Sequence, residues 1–401
     1  MTTDPMTTDR VTAKPISSDP IRLGALGLGR GFALTARALA AHPGISLVAA
    51  ATRSEAAQQA FVETFGGRVY AAYEALLADP AVELVYVATP HGLHREHVCA
   101  ALRAGKHVVV EKPLAIRLAD GAAMVACAEE VGRQLLVGPS HSYDPPVALA
   151  AQIIASGRLG APKLLHGLMA TDFLYRPRRP EELCTAEGGG VVFSQAIHHI
   201  DVAMRLLASP PVAVQAVTGA WDPARPTEGA YSALIEFRSG ATASLTYSGY
   251  GWFDSDVWME DVSELGYPTA SDRSGDTRRR VTAMPDEAAQ KKARAFSGLD
   301  ALPDPTHHEH FGPVIVFCTR GDIRLTPWGV LVYDADGVEE IAAPFAGPRQ
   351  GFAQALVDAL RGGPRPVQTG RWGLTALRAC HAFLQSARSQ ARVDISKVTD
   401  A

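Results

Sequence analysis

From residue 21 onward, short apolar runs alternate with stretches whose apolar residues recur every three or four positions. The runs at 21–26, 45–51, 82–88, 108–110 and 135–137 read as strands. The stretches at 33–41, 55–65, 96–104 and 118–131 read as helices. Strands and helices alternating at this spacing predict a parallel sheet with right-handed crossovers. After Ser142 the texture changes. Segments 212–218, 232–237, 242–247, 314–317 and 330–333 read as two-sided strands between Pro and Gly turns, and 373–389 as a closing helix. Residues 255–305 are polar, arginine-rich and poorly periodic, which predicts a long insertion: a lid, an oligomer contact or a partly mobile loop. The expected organisation is a disordered tail at 1–19, a doubly wound α/β domain at 20–142 and an α+β domain with a large, mostly antiparallel sheet at 143–395.

Composition narrows the function. A chain of 401 residues suits two domains, each able to bury a core. The net charge of −4 comes from interspersed acids and bases, so no basic stripe points to nucleic acid. No apolar run approaches the roughly 18 residues of a membrane span. The first twenty residues lack the apolar core of a secretory signal. Cys99, Cys127, Cys184, Cys318 and Cys380 are scattered and odd in number, which fits reduced thiols in a cytoplasm.

The candidate chemistry begins at Gly27-Leu28-Gly29-Arg30-Gly31-Phe32, between the first strand and its helix. Gly27 permits a tight turn, and Gly29 lets a pyrophosphate approach the positive helix N-terminus. A third fingerprint glycine would fall on Phe32. After the second strand, where an acid commonly holds a ribose 2′-hydroxyl, the chain has Thr52, Arg53 and Ser54. Arg53 either takes a 2′-phosphate, favouring NADP over NAD, or is a solvated helix-start residue. Thr89, Pro90, His91 and His94 follow the third strand, on the edge where open α/β sheets bind ligands. The two histidines are either cofactor-lining or ordinary loop residues.

Glu111-Lys112-Pro113 ends the strand 108–110 in the same crevice. Lys112 near a nicotinamide has the pKa logic of a proton carrier; otherwise it pairs with Glu111. Gly188-Gly189-Gly190 leads into a helix bearing Ser194, His198, His199 and Asp201. Adjacent histidines on a helix point about 100° apart, so at most one of them faces a site, and the alternative is a structural pair in the helix interior. His198 and Asp201 share a face, so one can orient the other. Arg176, Arg178 and Arg179, stiffened by Pro177 and Pro180, either clamp a substrate carboxylate or form a solvated loop. Thr306-His307-His308-Glu309-His310 looks like a metal tract but reads better as a polar loop, and no metal is expected.

The order glycine turn, TP-x-x-x-H, GKHVVVEKP and GGG with H-x-x-D resembles the glucose-fructose oxidoreductase and inositol dehydrogenase (Gfo/Idh/MocA) family, from residue 21 to about 395. The resemblance implies an NAD(P)-dependent dehydrogenase with Lys112 and His198 at the nicotinamide. The aspartate of the family's D-x-x-x-H motif falls on Ser194, which implies an altered proton relay. The segments around 171–183, 221–229 and 310–313 resemble the phthalate 4,5-cis-dihydrodiol dehydrogenase branch. That implies a carboxylated cyclic diol from aromatic degradation as substrate, the arginines and His199 as substrate contacts, and a homodimer or homotetramer. A sugar or polyol dehydrogenase and a non-catalytic NADP-binding regulator stand as alternatives.

Overall fold

The computed structural model describes residues 19–270, 275–282, 286–296 and 304–400. The expected tail, apart from Asp19, lies outside them, as do parts of the expected insertion. The chain divides into two compact units. The first holds the chain up to Pro139 with Lys292–Pro303 and Arg349–Leu374. The second holds Ser140–Lys291, Asp304–Pro348 and Thr375–Ala401.

The first unit runs β1 (Ile21–Leu26), α1 (Arg30–Ala41), β2 (Ile45–Ala51), α2 (Glu55–Phe65), β3 (Arg68–Tyr70), α3 (Tyr73–Ala78), β4 (Leu84–Val87), α4 (His94–Arg103), β5 (His107–Val110), α5 (Leu118–Val131) and β6 (Leu135–Val137). The six strands lie in the order β3-β2-β1-β4-β5-β6, and every pairing is parallel. β4, β5 and β6 are buried along their whole length, as expected where helices cover both faces. This is the doubly wound order, whose switch point lies between β1 and β4.

In the second unit follow α6 (Pro145–Ala155), β7 (Pro162–Ala170), α7 (Ile197–Leu207), β8 (Pro211–Gly219), β9 (Ala230–Phe237), β10 (Thr242–Ser248), α8 (Asp276–Thr282), α9 (Glu287–Ala293), β11 (Val314–Cys318), β12 (Asp322–Thr326), β13 (Gly329–Asp334) and β14 (Gly337–Ala342). Then come α10 (Gln350–Arg361), α11 (Gly370–Ser389) and β15 (Val393–Asp394). The nine strands lie in the order β14-β13-β12-β11-β7-β10-β9-β8-β15. All pairs are antiparallel except β7 with β10. One face is core. On the other, Val217 and Leu234 are exposed.

Residues Arg349–Leu374, read above as part of the second domain, belong to the first unit. Helix α10 lies beside α1, and Leu136 of β6 bridges Thr369. The expected insertion holds two short helices, α8 and α9, in its described part. Its Phe296 packs in the first unit against Phe32 and stacks on Phe65 at 5.6 Å.

Candidate functional site

In the first unit the candidate residues gather at the carboxyl ends of the parallel strands. Gly27 sits at φ 85°, and a Cβ there would lie 2.8 Å from the Ala88 carbonyl oxygen, so β1 and β4 close the turn tightly. Gly29 caps α1 with no side-chain hydrogen bond. A Cβ on Gly29 would meet only Ala88 O, at 4.0 Å, so this backbone is open to approach. Uncapped helix amides beside an open glycine suit a dinucleotide pyrophosphate.

Phe32 is corrected: its side chain is fully buried, packed against Phe61, Tyr86 and Phe296. The aromatic ring fills the helix–strand space that a glycine would leave, so only its backbone remains available to a ligand. Glu111 is also enclosed. It accepts the Tyr86 hydroxyl, and burial raises its pKa against the pull of Arg349 and Lys112. Arg349 in turn donates to Thr35 Oγ1 at 2.7 Å.

Lys112 follows β5 and is half-buried, joined to Pro113 by a cis peptide bond. His94 is corrected as a ligand contact. It is fully buried, with Nε2 3.1 Å from Thr89 O and Nδ1 3.2 Å from both Pro113 O and Leu114 O. Burial pushes its pKa down to about 4. The ring therefore ties the Thr89 loop to the segment after Lys112. Thr89 Oγ1 is 3.0 Å from His97 Nδ1, Pro90 is exposed, and half-buried His91 stands edge-on to His94. Thr52 Oγ1 accepts from Ser54 N–H, and Ser54 caps α2 through Ala57 N–H. Arg53 is exposed between them, while Arg30 opens α1.

The second unit carries a histidine cluster. Gly190 sits at φ 77°, and any Cβ there would collide with the Glu228 carboxylate. After it, Val192–Ala196 forms a π-helical turn before α7 begins; such turns often mark functional sites. The proton of the Ser194 hydroxyl goes to Gly190 O, one turn back. His198 Nδ1 instead lies 3.3 Å from Ser140 Oγ. Ser140 donates to Asp201 Oδ2 at 2.5 Å, and Ser142 N–H reaches the same oxygen at 3.1 Å.

The His141 ring stands edge-on to His198 at 4.8 Å, with Nδ1 2.7 Å from Asp144 Oδ2. Burial acts to lower the His141 pKa, but Asp144 outweighs it and the net shift is upward. The Phe311 ring lies 5.0 Å from His198, 5.2 Å from His141 and 4.6 Å from His199. His199 is corrected as a substrate contact: it is buried, 2.6 Å from Tyr231 Oη, and burial lowers its pKa to about 3.

The arginines are already engaged. Arg176 pairs with Asp172 at 2.7 Å and Glu264 at 3.3 Å. Burial would lower its pKa, but those carboxylates raise it. The Arg178 guanidinium lies 3.6 Å over the Phe173 ring, donates to Phe173 O and pairs with Glu182 at 3.9 Å, while the Arg178 backbone N–H donates to Glu287 at 2.9 Å. Burial lowers its pKa to about 10. Arg179 pairs with Glu181 at 3.1 Å. Of the histidine tract, His308 Nε2 meets Ala343 O, His310 Nε2 meets Val262 O, and His307 Nδ1 meets Thr306 Oγ1. Among the described residues no cluster of metal-ligand type occurs. Nor is any helix among them long and apolar enough to cross a membrane.

Sequence reasoning missed Ser140, His141 and Phe311 as parts of the cluster. Ser140 carries a usable signal, since it follows the carboxyl end of β6 directly after Gly138-Pro139.

Comparison with known proteins bears on this arrangement. Residues 21–139 match the model of an oxidoreductase family with an NAD-binding Rossmann fold, and residues 147–264 match the GFO/IDH/MocA C-terminal domain. The chain is 40% identical over 380 residues to 1-carboxy-3-chloro-3,4-dihydroxycyclohexa-1,5-diene dehydrogenase of Comamonas testosteroni, covering 92% of this chain and 95% of that one. A solved structure of a candidate dehydrogenase from Bordetella bronchiseptica superposes with a TM-score of 0.90 at 37% identity, covering 94% of this chain and 100% of the other. An Agrobacterium radiobacter oxidoreductase in complex with NAD+, L-tartaric acid and magnesium shares the fold, with a TM-score of 0.70 at 18% identity over 94% of this chain and 98% of that one.

Proposed function

Since the chain belongs to the Gfo/Idh/MocA family of NAD(P)-binding oxidoreductases, we propose that it is a dehydrogenase of a cyclic cis-dihydrodiol bearing a ring carboxylate. The observation that carries this reading is its near-full-length kinship with the Comamonas enzyme, whose name specifies a carboxylated ring diol. A bound nicotinamide dinucleotide supplies the hydride acceptor, and the Gly27–Gly31 turn with the α1 amides fits its pyrophosphate. His198 takes the hydroxyl proton, and the Lys112 ammonium steadies the oxygen as charge develops. The carbon loses a hydride and the oxygen a proton, leaving a ketone. In a cyclohexadiene diol that ketone tautomerises to a catechol, so aromatisation draws the oxidation forward.

The carboxylate falls to the arginine segment, and Arg178, whose charge is least offset by acids, is its most suitable member. Exposed Arg53, in place of a ribose-binding acid, supports a preference for NADP. The exposed apolar positions on the outer face of the nine-stranded sheet support a homodimer or homotetramer, and five free cysteines support a cytoplasmic setting.

The test is turnover, followed by cofactor reduction, on three substrates: a carboxylated cis-dihydrodiol, its decarboxylated analogue and a neutral polyol. Preferential oxidation of the first is expected. Preference for the polyol would place the chain with the sugar and polyol dehydrogenases of the family instead. Titrating NAD and NADP against the wild type and Arg53→Ala tests the cofactor choice; tighter NAD binding by the wild type would leave Arg53 a surface residue.

A further inference from the structure

The bond between Ser140 and Asp201 decides which nitrogen of His198 can act as a base. Ser140 has one hydroxyl proton, and it is donated to Asp201 Oδ2 at 2.5 Å. A carboxylate has no proton to return. The Ser140 oxygen is then left with lone pairs toward His198 Nδ1, 3.3 Å away. That contact is a hydrogen bond only if Nδ1 carries the proton. Nε2 of the neutral ring is therefore unprotonated. Which ring nitrogen acts is set by the bond the other one makes.

We infer that Ser140 is a positioning residue that couples Asp201 to His198, fixes the Nδ1–H tautomer and stabilises the imidazolium formed when Nε2 accepts the substrate proton. This rests on the dehydrogenase reading above. It also explains how the chain manages with serine at position 194: the negative charge is supplied by Asp201, one turn past His198 on α7, and passed through a serine from the end of β6. Three features fit. Ser142 N–H holds the same Asp201 oxygen at 3.1 Å, so the carboxylate is oriented from two sides. Asp201 and His198 are both buried, where a fixed dipole acts more strongly than in water. Ser194 donates its single hydroxyl proton to Gly190 O, so the proton between Ser140 and Asp201 comes from a different serine.

Other groups face the same ring or its partners. The His141 ring, paired with Asp144, stands 4.8 Å from His198, and Glu264 and Glu309 lie in the field of His141. Tyr143 and Arg205 lie in the field of Asp201, while His310 and His199 lie in that of His141. These stay in place when Ser140 is changed, so a shift in the titration of His198 reads the Ser140 link.

The experiment compares the wild type, Ser140→Ala, Ser140→Thr, Asp201→Asn and His198→Ala, with cis-3,4-dihydroxycyclohexa-1,5-diene-1-carboxylate as probe substrate. Ser140→Ala should lose about ten- to a hundredfold in kcat with KM little changed, less than the ~10²–10⁴ expected for removing the base itself. Its acid limb in the pH–kcat profile should move down by about one unit, because the imidazolium has lost its partner. Ser140→Thr keeps a hydroxyl and should recover most of the rate. Asp201→Asn should behave like Ser140→Ala. Nitrogen NMR of the His198 ring, which needs no turnover, should show Nδ1–H in the wild type and a tautomer mixture in Ser140→Ala. An unmoved acid limb and an unchanged tautomer in folded Ser140→Ala would overturn the inference while leaving the dehydrogenase reading intact. Normal turnover by His198→Ala would sink that reading, and this inference with it.

Discussion

A Cβ built on Gly31 would lie 2.7 Å from Oε1 of Glu111, so helix α1 rests on that carboxylate with no gap for a side chain. Glu111 cannot easily yield, because the buried Tyr86 hydroxyl holds it and Arg349 lies in its field. Gly31→Ala should therefore lift the N-terminus of α1. Overpacking of this kind costs about 1–3 kcal/mol, so a lower melting temperature and weaker NAD(P) binding are expected together. Unchanged values in both calorimetry and cofactor titration would show that the helix has more freedom than this spacing allows.

Lys112→Ala and His198→Ala should each lower kcat by about 10²–10⁴, the scale of general acid–base groups, with cofactor affinity nearly intact. His199→Ala should act differently. Its ring is buried against Tyr231 and Phe311, so the loss should appear as reduced stability before it appears in kcat. Steady-state kinetics paired with thermal melts separate the two patterns.

Arg178→Ala should lose about ten- to a hundredfold in kcat/KM on a carboxylated diol, the equivalent of one charge-assisted hydrogen bond. The same change should leave a neutral diol nearly unaffected. Arg176→Ala should injure both substrates alike, because it would strip Asp172 and Glu264 of their shared partner. Equal losses on both substrates for Arg178→Ala would remove it from the substrate contact.

Acidification should destabilise the fold between about pH 6.5 and pH 4. Burial lowers His94, His107 and His310 to about 4 and His199 to about 3. In that window the unfolded chain binds protons that the folded chain does not, so stability rises with pH and is lost as pH falls. Each histidine contributes on the order of 1–3 kcal/mol. Melting temperatures measured across the window check this, and a flat profile would contradict the four burials.

The alternation of runs made the doubly wound sheet legible, because a parallel sheet needs a covering helix after nearly every strand. The glycine turn and the lysine at the end of β5 were legible for the same reason: strand ends are local features. Ser140 was only half legible: its place just after β6 is a local signal, but its partners lie near position 200 and no local pattern announces a fold-back of that length. Phe32 and His199 misled because a ligand-facing and a core-facing residue look alike one position apart on a helix. The π-helical turn at Val192–Ala196 was not legible either, because it changes which residues face each other and one-turn periodicity cannot anticipate it.

The seam between β6 and the segment Gln368–Gly373 bears on the order of synthesis. Val137 N–H donates to Gln368 O, Leu136 bridges Thr369, and Cβ atoms on Gly370 and Gly373 would crowd Leu135 and Val137. β6 is the last strand of its sheet, and these residues cover it where a bare edge would invite foreign strands. The ribosome makes that cover more than two hundred residues after the strand it protects. The nascent nucleotide-binding unit therefore waits, its border unsealed, until nearly the whole chain has emerged. A fragment ending at Ser142 should aggregate where the full chain does not, and the same fragment supplied with 349–374 in trans should be rescued.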